Sequence, residues 1–203
     1  MTKIKRAKLI KKILDEYFPN PKIPLKHKNL FTLAIAVILS AQTTDKKVNE
    51  ITPHLFKIAS TPKQMLKVPQ KELENILRPI GLYKRKAKSI LNLSKILVEK
   101  YSSKLPSTFK ELESLPGIGH KTASVIMSLG FKKEAFPVDT HIHRCAKRWK
   151  LSDGSSIKKT EEDLKKLFNK KDWNKFICKS FILQENIVKQ KDIKSNYILY
   201  VTI

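Results

Sequence analysis

Lys121 closes the run Leu115-Pro116-Gly117-Ile118-Gly119-His120-Lys121, and Asp139 sits in Pro137-Val138-Asp139-Thr140-His141-Ile142-His143-Arg144. An amine and a carboxylate together can act on a sugar carbon. A lysine is ordinarily protonated at pH 7 and cannot attack carbon, but a helix N-terminus, partial burial and neighbouring cations favour a neutral amine. A neutral amine can form a Schiff base. An opposing carboxylate stabilises the positive charge that develops as a glycosidic bond breaks, or shuttles the proton that activates the amine.

Such a pair needs elements that hold it. Thr108 followed by Glu111 has the spacing of a capping box, so a short helix is expected from 109 to 115, stopped by Pro116. Gly117 and Gly119 can take backbone angles closed to other residues and let the main chain approach a ligand closely. Ala123, Val125, Ile126 and Leu129 then make an apolar helix over 121–130 that Gly130 can end. The result is helix, hairpin, helix, with amide N–H groups and a positive dipole end suited to a phosphate. A lone Gly-x-Gly is more often an ordinary helix corner, and it is the surrounding residues that point to a ligand here. A helix over 121–130 carries the chain about 15 Å from Lys121. The eight residues from Gly130 to Pro137 span up to ~28 Å when extended, enough to bring Asp139 back beside the lysine. Asp139 is also placed to cap a helix starting near Thr140, and one carboxylate can fill both roles.

The composition names the class of partner. Against 18 Asp and Glu stand 42 Lys and Arg, a formal charge of +24, which points to a polyanion. Charge alone fits a binding protein with no turnover equally well, and a Lys-rich solvated surface is the plainer reading. A chain of 203 residues can bury a substantial core as one domain or two small ones. Its longest apolar stretch, Leu30 to Leu39, is half of the ~20 residues a membrane span requires and reads as a buried helix. Residues Thr2 to Phe18 are basic and amphipathic without a signal-peptide core, so export is not expected. Two cysteines, Cys145 and Cys178, make neither a disulfide framework nor by themselves a metal site, which suits a reducing cytoplasm.

Helix signals dominate elsewhere and strand alternation is scarce. Thr61, Pro62 and Gln64 start a short helix, and Pro69 precedes another that is interrupted at Pro79. From Lys84, the residues Ala87, Ile90, Leu91, Leu97, Val98 and Tyr101 fall at helical spacing with lysines expected on the other face. Ser152 to Ser156 is a turn before a charged helix from about Lys158 to Phe168. The expected fold class is all-α, with roughly ten short helices.

Four ordered blocks carry a resemblance: Ser40-Ala41-Gln42-Thr43-Thr44-Asp45, Ile80-Gly81-Leu82-Tyr83, Leu115 to Ala123, and Val138-Asp139-Thr140-His141-Ile142. Over about residues 25 to 172 the chain resembles the endonuclease III family, the helix-hairpin-helix base-excision DNA glycosylases. The resemblance implies a helical-barrel domain over 24–133, with the helix-hairpin-helix at about 108–127. It implies a second helical domain from 1–23 plus 134–203, and damaged duplex DNA in a cleft between the two. It makes Lys121 the nucleophile at the sugar C1′ and Asp139 its carboxylate partner, with β-elimination giving abasic-site (AP) lyase activity. Gln42 would fill the gap left by a flipped base, and Leu82 would wedge the stack open. Residue type alone favours a core leucine at Leu82 and a polar residue at a helix end at Gln42. His120 stands where many relatives have arginine and is assigned with Gly117 and Gly119 to phosphate contact. His141 and Arg144 are placed near the DNA backbone, and His143 is given no catalytic role. The lysine favours a bifunctional glycosylase and lyase, and the resemblance implies action on oxidised pyrimidines; a monomer in the cytoplasm, associated with the nucleoid through DNA, is expected.

The C-terminal region departs from this pattern. Most relatives end in four closely spaced cysteines that hold a [4Fe-4S] cluster, and here only Cys178 lies in that region, so no cluster cofactor is expected. From about Phe176 the resemblance is expected to stop, as it would if a frameshift had replaced the segment. The alternative function is therefore a DNA-binding relative impaired in catalysis.

Overall fold

The computed structural model describes residues 1–19 and 24–173, except for the side chain of His141. Among them there are ten α-helices, one π-helical turn and no strand. The chain divides into two compact units, residues 25–133 and residues 1–24 with 134–203.

The first unit is built around α2 (Leu30–Ser40), whose residues Phe31 to Leu39 are all buried. Asn29 caps it: Thr32 N donates to Asn29 Oδ1 at 2.9 Å, and Asn29 N donates to Thr32 Oγ1 at 2.8 Å. Helices α3 (Asp45–Ile58), α6 (Tyr83–Lys100) and α8 (His120–Val125) pack on α2, while α4 (Pro62–Met65) and α5 (Gln70–Leu77) pack on α6 and α7 (Phe109–Glu113) on α8. Helix α8 runs directly into the π turn Ile126–Gly130. There Phe131 N reaches the carbonyl of Ile126 at 3.0 Å, five residues back. The helix expected over 121–130 thus widens halfway along.

Helix α3 had no counterpart in the sequence reading. Pro53 lies inside it and would ordinarily break the ladder, yet Val48, Ile51, Thr52, Leu55 and Phe56 give it a buried stripe. Burial of that stripe outweighs the local cost.

The second unit collects α1 (Lys3–Tyr17), α9 (Thr140–Arg148) and α10 (Ile157–Leu167). Ala7, Ile10 and Leu14 from α1, Ile142 and Ala146 from α9, and Leu164 from α10 share one apolar cluster with Phe136, Trp149, Phe168 and Trp173. The rings of Phe136 and Trp173 meet edge to face at 5.8 Å, and Trp173 Nε1 donates to the Phe168 carbonyl at 2.9 Å. This cluster fixes α9, whose first turn carries the Asp139 motif. No described helix is long and apolar enough to cross a membrane.

Candidate active site

The hairpin is assembled by local rules. Thr108 caps α7, its Oγ1 accepting from Glu111 N at 3.3 Å and donating to Glu111 Oε2 at 2.6 Å. The helix ends at Glu113, two residues earlier than the Pro116 stop suggested, and Ile118 N closes a tight turn on the Leu115 carbonyl at 3.1 Å. Ile118 and Leu115 are buried and pin the turn from below.

The two glycines differ. Gly117 has a φ of +81°, and a Cβ there would meet Ser89 Cβ at 3.1 Å, so its conformation and its surroundings both require glycine. Gly119 caps α8 at φ −92°, ψ −179°, angles open to any residue, and a Cβ on it would meet nothing within 4 Å. The expectation of special angles is corrected at Gly119. What that glycine leaves is open space beside the first N–H groups of α8.

Lys121 is the second residue of α8 and is exposed rather than partly buried. His120 precedes it, its Nδ1 2.7 Å from Glu113 Oε1 and its ring stacked on Phe109 at 5.8 Å. The imidazole is therefore oriented by α7.

In the other unit, Asp139 is buried and caps α9: Ile142 N donates to Asp139 Oδ1 at 2.8 Å, and His143 N to the Asp139 carbonyl at 2.9 Å. The capping role read from sequence is present, and it fixes the carboxylate's orientation. Arg144 is exposed on α9, and the backbone of His141 lies in the same helix. His143 Nδ1 is 2.8 Å from Thr160 Oγ1, an α9-to-α10 contact that gives it a structural task.

Gln42 and Leu82 stand on neighbouring turns of the first unit. Gln42 follows α2 at φ +56°, and Leu82 precedes α6 at φ +59°. A Cβ on Gly81 would lie 3.8 Å from the Gln42 carbonyl, so the turns are in contact. Leu82 is 50% exposed and provides no side-chain cap, which excludes the core-leucine reading. A leucine held left-handed and presented to solvent satisfies no local preference. Gln42 is exposed as well.

Sequence reading missed Lys86. With Ile90 and Leu97 it falls at helical spacing on the apolar stripe of α6, and it is buried, so the expectation that every lysine lies on the opposite face is corrected. The spacing itself was the available signal. Lys86 Nζ donates to the Leu39 carbonyl at 2.8 Å and to Thr43 Oγ1 at 2.9 Å. Burial pushes its pKa below that of an ordinary lysine.

The profile of the HhH-GPD superfamily base excision DNA repair proteins matches residues 35–170. Endonuclease III of Buchnera aphidicola subsp. Acyrthosiphon pisum is 44% identical over 167 residues, covering 82% of this chain and 79% of that protein. The chain belongs to the endonuclease III family. As a member it is a base-excision DNA glycosylase with lyase activity. Endonuclease III of Rickettsia prowazekii is 36% identical over 206 residues, covering 95% of this chain and 97% of that protein. That alignment omits only about a twentieth of the chain and so runs past Phe176, where family resemblance was expected to stop. A solved structure described as a trapped endonuclease III–DNA covalent intermediate superposes with a TM-score of 0.88 at 36% identity, covering 96% of this chain and 91% of that one. A non-covalent endonuclease III–DNA complex gives 0.84 at 38% identity, over 89% of this chain and 85% of that one. These likenesses favour the enzyme over the alternative of a binding protein without turnover.

Proposed function

We propose that this glycosylase removes oxidised pyrimidines from duplex DNA with Lys121 as nucleophile and Asp139 as its carboxylate partner. The carrying observation is an exposed lysine in the first turn of a helix opened by a two-glycine hairpin, in a chain of this family. The unprotonated Nζ attacks C1′ of the lesion nucleotide. The C1′–N bond breaks and the departing base takes up a proton, while the Asp139 carboxylate stabilises the positive charge developing on the sugar. Ring opening leaves a C1′ imine. Loss of a C2′ proton then expels the 3′ phosphate from C3′, and water releases the lysine.

The remaining assignments follow from what each group can bind. Gly119 leaves room for a phosphate to approach the N–H groups of α8, and His120, Arg144 and His141 add donors that suit a DNA backbone. Leu82 is the wedge and Gln42 the filler of the vacated position. The surplus of 24 positive charges supports binding to duplex DNA, and through that binding a cytoplasmic enzyme would associate with the nucleoid.

The family's [4Fe-4S] cluster does not fit this chain. Four thiolates are needed, and the sequence has two cysteines. Cys145 packs against the apolar cluster of its own unit, and burial pushes its thiol pKa up, away from the thiolate a metal requires. Cys178 lies outside the described residues. Among the described residues no group of three or more His, Cys, Asp or Glu is placed to hold a metal ion. The proposed enzyme works without the cluster.

Borohydride reduction on an abasic-site duplex tests the mechanism. A covalent adduct that disappears in Lys121→Ala supports it, and an adduct that persists in that variant removes Lys121 from the chemistry.

A further inference from the structure

We infer that Lys86 is a positioning residue, whose buried ammonium clamps the Gln42 turn to the Leu82 turn so that both meet one base-pair step in a fixed spacing. The inference rests on the roles proposed for Gln42 and Leu82, and adds the device that sets them.

Lys86 binds both turns at once. Its backbone N–H donates to the Leu82 carbonyl at 2.9 Å, the first hydrogen bond of α6. Its side chain reaches across to the Leu39 carbonyl and to Thr43 Oγ1, on the two sides of Gln42. The Leu39 carbonyl belongs to the last turn of α2, where carbonyls lack intrahelical partners. The amide of Thr43, four residues on, goes instead to Ser40 at 3.1 Å. An ammonium is suited to that place, because it satisfies an orphan carbonyl and complements the negative end of a helix dipole.

The alternatives to a clamp are weak on physical grounds. A lysine spared any task would extend to water, since burying an ammonium carries a desolvation cost that hydrogen bonds must offset. Burial does lower the Lys86 pKa, so that cost is present. Each turn is strained at its centre: both Gln42 and Leu82 adopt left-handed angles, and Leu82 gives α6 no side-chain cap. Conformations of this kind persist only where surrounding structure enforces them, and Lys86 touches both.

The test uses the full chain and a duplex carrying one thymine glycol next to 2-aminopurine, whose fluorescence reports unstacking. A second duplex carries a preformed abasic site. Lys86→Met keeps the stem and deletes the donors. We expect single-turnover base release and the fluorescence rise to slow about tenfold, with borohydride trapping at the abasic site within about twofold of the unaltered protein, since trapping needs no base extrusion. Thr43→Val removes one acceptor while leaving the lysine, and should slow release about threefold if Lys86→Met fails to fold. Combined with Gln42→Ala and Leu82→Ala, Lys86→Met should add nothing.

Equal losses in release and trapping that follow the folded fraction by circular dichroism would make Lys86 a scaffold residue and overturn the clamp. Unchanged release in Lys86→Met, with slowed release in Gln42→Ala and Leu82→Ala, overturns the clamp and leaves those two roles standing. Unchanged release in Gln42→Ala and Leu82→Ala overturns their roles, and the clamp with them.

Discussion

The hairpin at 114–123 and the paired turns at 40–43 and 80–83 reach functional geometry by opposite routes. The hairpin obeys local rules throughout: a capped helix, a glycine where φ is positive, a buried apex and a fresh helix start. The paired turns break them, placing glutamine and leucine in the left-handed region and leaving leucine in water. A hairpin that supplies a reactive amine needs only a stable frame. A wedge that enters a base stack must already be extended into solvent, which costs about 1–2 kcal/mol at a left-handed leucine and demands support from elsewhere in the chain.

If the regions divide chemistry from base extrusion, variants should separate the two. The largest effect is expected for Lys121→Ala, which should lower imine trapping about a thousandfold or more while leaving the 2-aminopurine fluorescence rise intact. Loss of that rise as well would merge the two roles. Asp139→Asn should slow base release on the order of 100-fold. Asparagine caps helices as well as aspartate does, so its Tm should stay within about 2 °C of the parent and its DNA affinity should hold. A large fall in Tm would reassign Asp139 to folding alone.

Leu82→Gly should slow release about tenfold, with a smaller fluorescence rise, and yet leave stability unchanged or raise it by about 1 kcal/mol, because glycine takes the left-handed angle without strain. Reduced stability by urea titration would show that the leucine is held by packing after all. The smallest effects separate the two glycines. Gly117→Ala should destabilise the fold by about 1–3 kcal/mol, since both its φ of +81° and the Ser89 contact resist a side chain. Gly119→Ala should change stability by less than about 0.5 kcal/mol and act instead on duplex affinity, measured by fluorescence anisotropy at fixed salt.

The same contrast explains what could be read from sequence. Thr61 and Thr108 each mark a helix start that was read from sequence and that the structure contains, because a capping hydrogen bond lies within three residues of chain. Asp139 was legible as a cap for that reason. Helix α3 was not, because Pro53 argues locally against it and only the packing of its apolar stripe argues for it. The π widening at 126–130 leaves no mark in residue type. Lys86 was hidden twice over: its neighbours Lys84 and Arg85 make it look like part of a solvated basic face, and its acceptors lie more than forty positions away in the chain. Gln42 and Leu82 could be singled out only through family resemblance, because their strain is a property of backbone angles that composition does not encode.

One small contact sets how the hairpin enters and leaves its surroundings. Lys133 Nζ donates to the Ser107 carbonyl at 2.7 Å and to Ser107 Oγ at 3.0 Å, joining the residue before the Thr108 cap to the segment after the π turn. Residues 107–133 therefore form a closed loop whose two ends share one doorway. The segment between those ends is not a surface loop, since Ile118, Ala123, Val125, Ile126 and Leu129 are buried. In evolutionary and engineering terms the lysine-bearing hairpin is tied to its neighbours: a change within it must be matched at Ser89, Leu30 and Leu33, the residues its two bounding glycines face.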